Sequence, residues 1–388
     1  MQPTLPPKQE YAAPIGLKIL GITFSVIMVA GFLWLIIDGG KGAVSPAGMI
    51  VFSIFGAAGF LLLLLWIIRE KLIITQQSFI RNTLFGQKEI HFDDVKGFNK
   101  DNKNIYIRSK SSSRKIIISE NTGKVKALKE WLSQNFINLD VVEYEQERQA
   151  ILSNTDYGYS DEDRISKLEQ AKTLARFINI AGIVIALWIG FYTKPYLLAI
   201  VIGIVFPLIP LVAIKTSNGL IKFDSKKNSA HPSLLIAFLA PTIALVFRCI
   251  FDFDILLYQN LLLISGGVFI ALIVALLMGA PFFDFKGEKA GLIVGIILIY
   301  VYSFVTTALI NTTFDKSAPE YYHAKVLDKS VHRGKSTTYH LQLAPWGPNH
   351  ESKDETVSQD MYNSVDVDED VNVELKKGLL DAPWYVVY

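Results

Sequence analysis

Seven long apolar runs, interrupted once by a polar insert of roughly a hundred residues and followed by a polar tail, constrain this chain more than any other feature. They extend from Leu17 to Ile37, Met49 to Ile68, Phe177 to Phe191, Tyr196 to Ile214, Leu234 to Ile250, Leu261 to Met278 and Leu292 to Ile310. Most approach the ~20 residues that an α-helix needs to cross bilayer hydrocarbon. With 51% hydrophobic residues, the chain holds more apolar material than one soluble core covers. The expected fold class is a polytopic α-helical membrane protein with about seven transmembrane helices.

A net charge of +2 leaves no electrostatic footprint for nucleic acid. The single cysteine, Cys249, lies inside an apolar run, which excludes an internal disulfide framework. Lys8 and Lys18 precede the first run as in a secretory signal, but the stretch exceeds a signal core and lacks a small-x-small site, so a retained first helix is expected. Loop lysines then set the orientation. The Asp38–Ala47 link carries only Lys41 and the Thr193–Pro195 turn only Lys194, whereas Lys215, Lys222, Lys226 and Lys227 follow the fourth run. The lysine-rich side reads as cytoplasmic. This places the N-terminus, the Arg69–Gln170 insert and the loops near Lys215 and Lys286 on the cytoplasmic side, and the C-terminal tail outside. Trp34, Trp66, Trp188, Tyr192 and Tyr196 at run ends suit an interfacial aromatic belt.

Within the insert the pattern changes to short alternating segments at Leu72–Thr75, Phe79–Leu84, Gln87–His91, Ile105–Arg108 and Lys115–Ser119, parted by turn residues. Val125, Leu128, Trp131 and Leu132 follow at helical spacing. A β meander capped by one helix is expected. The phrases KLIITQQSFIRNTLFGQKEIHFDDVKGF, NIYIRS, KIIIS and VKALKEWL, directly behind a two-helix hairpin, resemble the bacterial pleckstrin-homology-like (bPH) family of membrane proteins over about residues 71–136. That resemblance implies a PH-like domain that binds or assembles without an active site. The expected organisation is a tail (1–16), a helical hairpin (17–68), the PH-like domain (69–138), an acidic linker and helix (139–170), a five-helix region (171–312) and a small all-β domain (315–388). Ser160 and Asp163 have capping-box spacing ahead of the third run.

Two groups of residues are candidates for a site. Lys103, Arg108, Lys110, Arg114 and Lys115 flank a serine-rich hairpin, where contact with anionic headgroups is worth ~1 kcal/mol per basic residue, and where ordinary solvated charge is the competing account. Arg248, near the end of the fifth run, has Asp252 one helical turn on and reads as an intramembrane polar pair. Pro207, Pro210 and Pro241 should kink their helices. His323, His332, His340 and His350 lie in the tail without the i, i+4 or His-x-His spacing that brings metal ligands together. No catalytic, metal or cofactor motif is present. The expected function is a non-catalytic scaffold, sensor or assembly protein whose partners are the bilayer, anionic headgroups or other membrane proteins. The alternative is a small-solute transporter or channel subunit, weakened by the absence of ionisable residues at mid-run. A membrane enzyme would need His231, Asp284 and Glu288 to converge.

Overall fold

The computed structural model describes residues 10–38, 46–101, 103–226, 228–278, 289–334 and 337–388. The chain forms two compact units, residues 1–148 with 227–230, and residues 149–226 with 231–388. Among the described residues, six helices are long and apolar enough to cross a membrane, by length and composition.

The first unit opens with a two-residue strand, β1 (Glu10–Tyr11), and a helical hairpin, α1 (Ile15–Asp38) and α2 (Pro46–Arg69). Backbone hydrogen bonds are internal to a helix, so uninterrupted apolar sequence can adopt one without a polar partner. Then follow β2 (Lys71–Ile74), β3 (Ser78–Thr83), β4 (Gly86–His91), β5 (Val95–Lys100), β6 (Asn104–Ser109), β7 (Lys115–Ser119) and α3 (Val125–Asn135). They make two antiparallel sheets, β1-β2-β3-β4 and β5-β6-β7. Alternation turns Ile105, Ile107, Ile116 and Ile118 inward, and helical spacing turns Leu128, Trp131 and Leu132 onto them. Trp131 sits among Phe79, Phe92 and Phe136 at ring separations of 6.0, 6.2 and 5.6 Å. Two strands exceed the expectation: β5, and β1, which comes from the segment expected as a tail. Tyr11 on β1 is 1% exposed and belongs to this core.

The acidic segment expected as a linker is largely α4 (Leu139–Ser153). Asp140 accepts the Lys100 N–H at 2.9 Å, which ties its start to β5. In the second unit, α5 (Asp161–Phe191) starts at the Ser160–Asp163 capping box, with reciprocal hydrogen bonds of 3.1 and 3.2 Å. The fourth run is two helices, α6 (Tyr196–Val205) and α7 (Leu208–Thr216), parted at Pro207, whose missing N–H interrupts the ladder. Next come α8 (Leu235–Phe251), which contains Pro241, then β8 (Asp254–Ile255), α9 (Gln259–Leu277) and α10 (Lys289–Thr313). At 17 residues, α8 spans about 25 Å and is shorter than each of the six membrane-length spans. It begins on a side chain of α5: Asn179 accepts the Ala237 N–H at 2.9 Å and donates to the Ser233 carbonyl at 2.8 Å.

The tail forms β9 (Glu320–Arg333), β10 (Thr337–Leu343), β11 (Lys353–Val357), a short helix α11 (Gln359–Ser364), β12 (Asp370–Lys376) and β13 (Trp384–Val387). The expected all-β domain is thus a β domain with one helical insertion, and its strands form a single antiparallel sheet, β11-β10-β9-β12-β13-β8. The long β9 makes this possible, pairing with β12 along Glu320–Lys325 and with β10 along Val326–Arg333. The sixth strand, β8, comes from the α8–α9 connection.

Candidate functional sites

The basic hairpin lies where β6 turns into β7, with Arg108 paired to Lys115. Lys103, Arg108, Lys110, Arg114 and Lys115 are all exposed. Three of them are engaged within the domain. Arg108 Nε donates to Asn99 at 2.8 Å, Lys110 Nζ donates to the Asp93 carbonyl at 2.9 Å, and the Lys115 ammonium stands 5.4 Å from the centre of the Tyr106 ring. Asp94 organises the turn, accepting from Ser109 Oγ at 2.6 Å and from the Ser111 N–H at 2.9 Å. Those hydrogen bonds, with Ser109 foremost, hold its carboxyl below the usual range. The hairpin tip is at the opposite end of β7 from Ser119, about 13 Å away along the strand.

Ser119 borders a second feature of the same unit. A cavity of about 260 Å³ lies where the hairpin ends meet the sheets, lined by residues of α1, α2, β3 and the segment from Ile117 to Thr122. Arg81 and Glu70 pair at 2.5 Å in its wall, and Lys71 pairs with Glu10 at 3.2 Å.

In the second unit, Arg248 donates to Asp252 at 3.1 Å and to the Gly190 carbonyl at 2.8 Å. Tyr196, expected only as a belt residue, donates its hydroxyl to the other oxygen of Asp252 at 2.8 Å. The pair thereby joins the ends of α5, α6 and α8. Where Pro207 breaks the fourth run, the Ile204 carbonyl accepts from the Tyr302 hydroxyl at 2.6 Å. That oxygen faces a protein donor, as a packing break requires.

A third cluster was not legible in the sequence. Asn311, fully buried near the end of α10, donates to the Ala382 carbonyl at 2.8 Å, and its side-chain oxygen accepts the Leu380 N–H at 2.8 Å. Asp315 accepts from Trp384 Nε1 and the Gly378 N–H, each at 2.9 Å. Burial pushes the Asp315 carboxyl up, but these bonds and those from Ser317 outweigh it, leaving the group below its ordinary value. Gly378 has φ +81° and lies against Asn311, where a side chain would collide. Between the two outermost strands of the sheet, Lys353 on β11 bonds Asp254 on β8 and Glu355 at 3.2 Å each, and the Tyr385 hydroxyl bridges Lys353 and Glu355. Glu355 is 5% exposed, and burial pushes its carboxyl up. Apart from Lys353–Glu355 and Asp315–Ser317, the partners in these clusters lie 30 or more residues apart, beyond any spacing rule.

The His332 and His340 rings lie 4.6 Å apart, tilted by 48°, and His340 lies 3.3 Å from Asp354. Among the described residues, no group of three or more His, Cys, Asp or Glu side chains gathers as a metal site would need. His231 Nδ1 is 3.0 Å from the Leu220 carbonyl. Its proposed partners Asp284 and Glu288 lie outside the described residues, as do Lys8, Lys41, Lys227 and Lys286. Compared with family models, curated proteins and solved structures, the chain matches none.

Proposed function

We propose that this chain is a multi-pass protein of the bacterial inner membrane that acts by binding and assembly, displaying a cytoplasmic PH-like module and an outward β domain. The observation that carries this reading is the way the C-terminal sheet is fastened. Its edge strand β8 is part of the helical region, and Asn311 and Asp315 bond its last loop to the end of α10. A sheet held this way is a fixed platform. The alternative transporter reading requires parts that rearrange around a solute. The PH-like assignment is supported by consecutive antiparallel strands closed by one amphipathic helix, with Trp131 on the sheet.

The orientation rests on the loop lysines. With Cys249 replaced by alanine, an impermeant maleimide applied to intact cells should label Asn349→Cys and spare Ser112→Cys; the reverse pattern inverts the topology. Function is tested from exposed Tyr321 on β9, replaced by a photo-crosslinking residue in the full chain. A discrete adduct in native membranes is expected. A saturable, solute-dependent flux through reconstituted vesicles, with no adduct, would replace this reading with transport.

A further inference from the structure

The cavity of about 260 Å³ in the first unit has the chemistry of a place for one lipid headgroup. Two of its walls differ in kind. On the helix side are Leu17 and Trp66, which remain 53% and 44% exposed beside it. On the module side are Ser119, Asn121 and Thr122, which supply hydroxyl and amide groups. Charge is arranged asymmetrically between them. Arg81 is matched by Glu70 and Lys71 by Glu10, whereas Lys18, half-buried in the first turn of α1, has no carboxylate partner among the described residues. One uncompensated cation in a partly buried cleft favours a ligand with one negative charge. The volume falls just short of the ~300 Å³ at which pockets begin to enclose drug-sized molecules, so it suits a headgroup rather than a whole amphiphile. The exposed flanks of Leu17 and Trp66 leave an apolar surface for the rest of such a molecule.

We propose that this cavity binds the anionic phosphodiester headgroup of a bilayer lipid, with Lys18 as its charge partner and the polar segment from Ser119 to Thr122 as its hydrogen-bonding wall. The acyl chains then lie along α1 and α2. Because the strand leading to the cavity starts at the basic hairpin, the two candidate lipid contacts are separable by mutation. The proposal rests on the reading of α1 and α2 as membrane helices, which carbonate extraction tests by itself: release of the full chain from membranes would remove that premise.

The direct test is a titration of the full-length protein in neutral detergent, read by native mass spectrometry, with phosphatidylglycerol, phosphatidylcholine and inorganic phosphate as separate probes. One phosphatidylglycerol should be retained in preference to phosphatidylcholine. Lys18→Gln should weaken that binding about fivefold, the equivalent of ~1 kcal/mol for one basic residue at a membrane surface. Lys18→Arg should keep it, and Lys110→Gln at the hairpin tip should leave it unchanged. An unaltered melting temperature of Lys18→Gln separates lost binding from lost folding. Equal retention of both lipids, equal binding by Lys18→Gln, or transfer of the effect to Lys110→Gln would each overturn the proposal. Phosphate bound as tightly as phosphatidylglycerol would also overturn it, by making the ligand a soluble anion.

Discussion

The two β modules are fastened to their helices by different means. Among the described residues, the core of the first consists of Tyr11 with residues between Leu72 and Phe136, without any residue of α1 or α2. The last loop and strand of the second enter a core shared with helices, where Ala382, Leu380 and Trp384 meet Ile189, Leu245 and Leu309. The second module also has a core of its own, where Val326, Leu341, Val373 and Tyr385 are buried, but its last strand is shared with the helices, so it is in part an extension of them, whereas the first closes its core by itself. The difference follows from residue choice. The first module keeps its aromatic cluster internal, while the second divides its aromatic residues, packing Trp346 against Tyr322 and Tyr385 and sending Trp384 with the 378–382 loop to Asn311 and Asp315.

The sharpest way to break this comparison is to excise both modules. Residues 71–138 should fold alone, and residues 315–388 should not, because removal of the helices strips the polar partners from the 378–382 loop. In the first fragment, Trp131→Ala should cost ~3 to 5 kcal/mol, measured by chemical denaturation. Unchanged stability would show that the module has no such core. The fragment lacks β1, so linking residues 10–13 to its start should stabilise it further by restoring buried Tyr11. No gain would place Tyr11 outside the module's folding unit.

Asn311→Ala tests the second fastening in the full chain. It leaves the Leu380 N–H and the Ala382 carbonyl without their partner, at ~1 to 3 kcal/mol for each buried group. Hydrogen exchange across residues 378–387 should accelerate by at least tenfold, while exchange across residues 104–119 stays unchanged. Equal acceleration in both places would mean that the modules are not independent.

The pH dependence of the second module has a definite sign. Glu355 has a raised folded pKa, so its contribution is complete below the ordinary carboxylate range and is lost as pH rises through the raised value. Asp315 has a lowered one, so its contribution is present above the ordinary value and is lost as pH falls through the lowered value. The sum of the two should therefore peak around the ordinary carboxylate values, and Glu355→Gln should flatten the alkaline side of that peak. Protection from proteolysis as a function of pH checks it; a peak unmoved by Glu355→Gln would remove Glu355 from the account.

What could be read from the sequence divides along the same line. Apolar runs were legible because a helix needs only local hydrogen bonds and a continuous apolar surface. The core of the first module was legible because alternation and helical spacing are local patterns. Four strands escaped for local reasons: β5 contains the turn-like Gly97-Phe98-Asn99, β11 carries the charged Lys353, Asp354 and Glu355, and β1 and β8 are only two residues long. The roles of Asn179, Asn311 and Tyr196 escaped for a different reason. Each is a single polar residue in or beside an apolar run, and its meaning depends on partners 54 to 71 residues away.

The smallest expected effect belongs to the most conspicuous residues. Lys110, Arg114 and Lys115 are exposed, and the contacts that two of them make are to a surface carbonyl and an aromatic face. Exposed groups of this kind contribute within about 0.5 kcal/mol each, since water replaces what is lost. Alanine at all three positions should leave denaturation of residues 71–138 nearly unchanged, in contrast to Trp131→Ala. If those charges instead serve an external anion, the triple variant should bind anionic vesicles more weakly than the parent, with a difference that shrinks as salt rises. Equal binding at low salt would leave the hairpin as solvated charge and Lys18 on α1 as the remaining candidate contact with lipid. A large loss of stability would contradict the self-contained core, because it would give the module's surface a structural weight that its buried residues should hold.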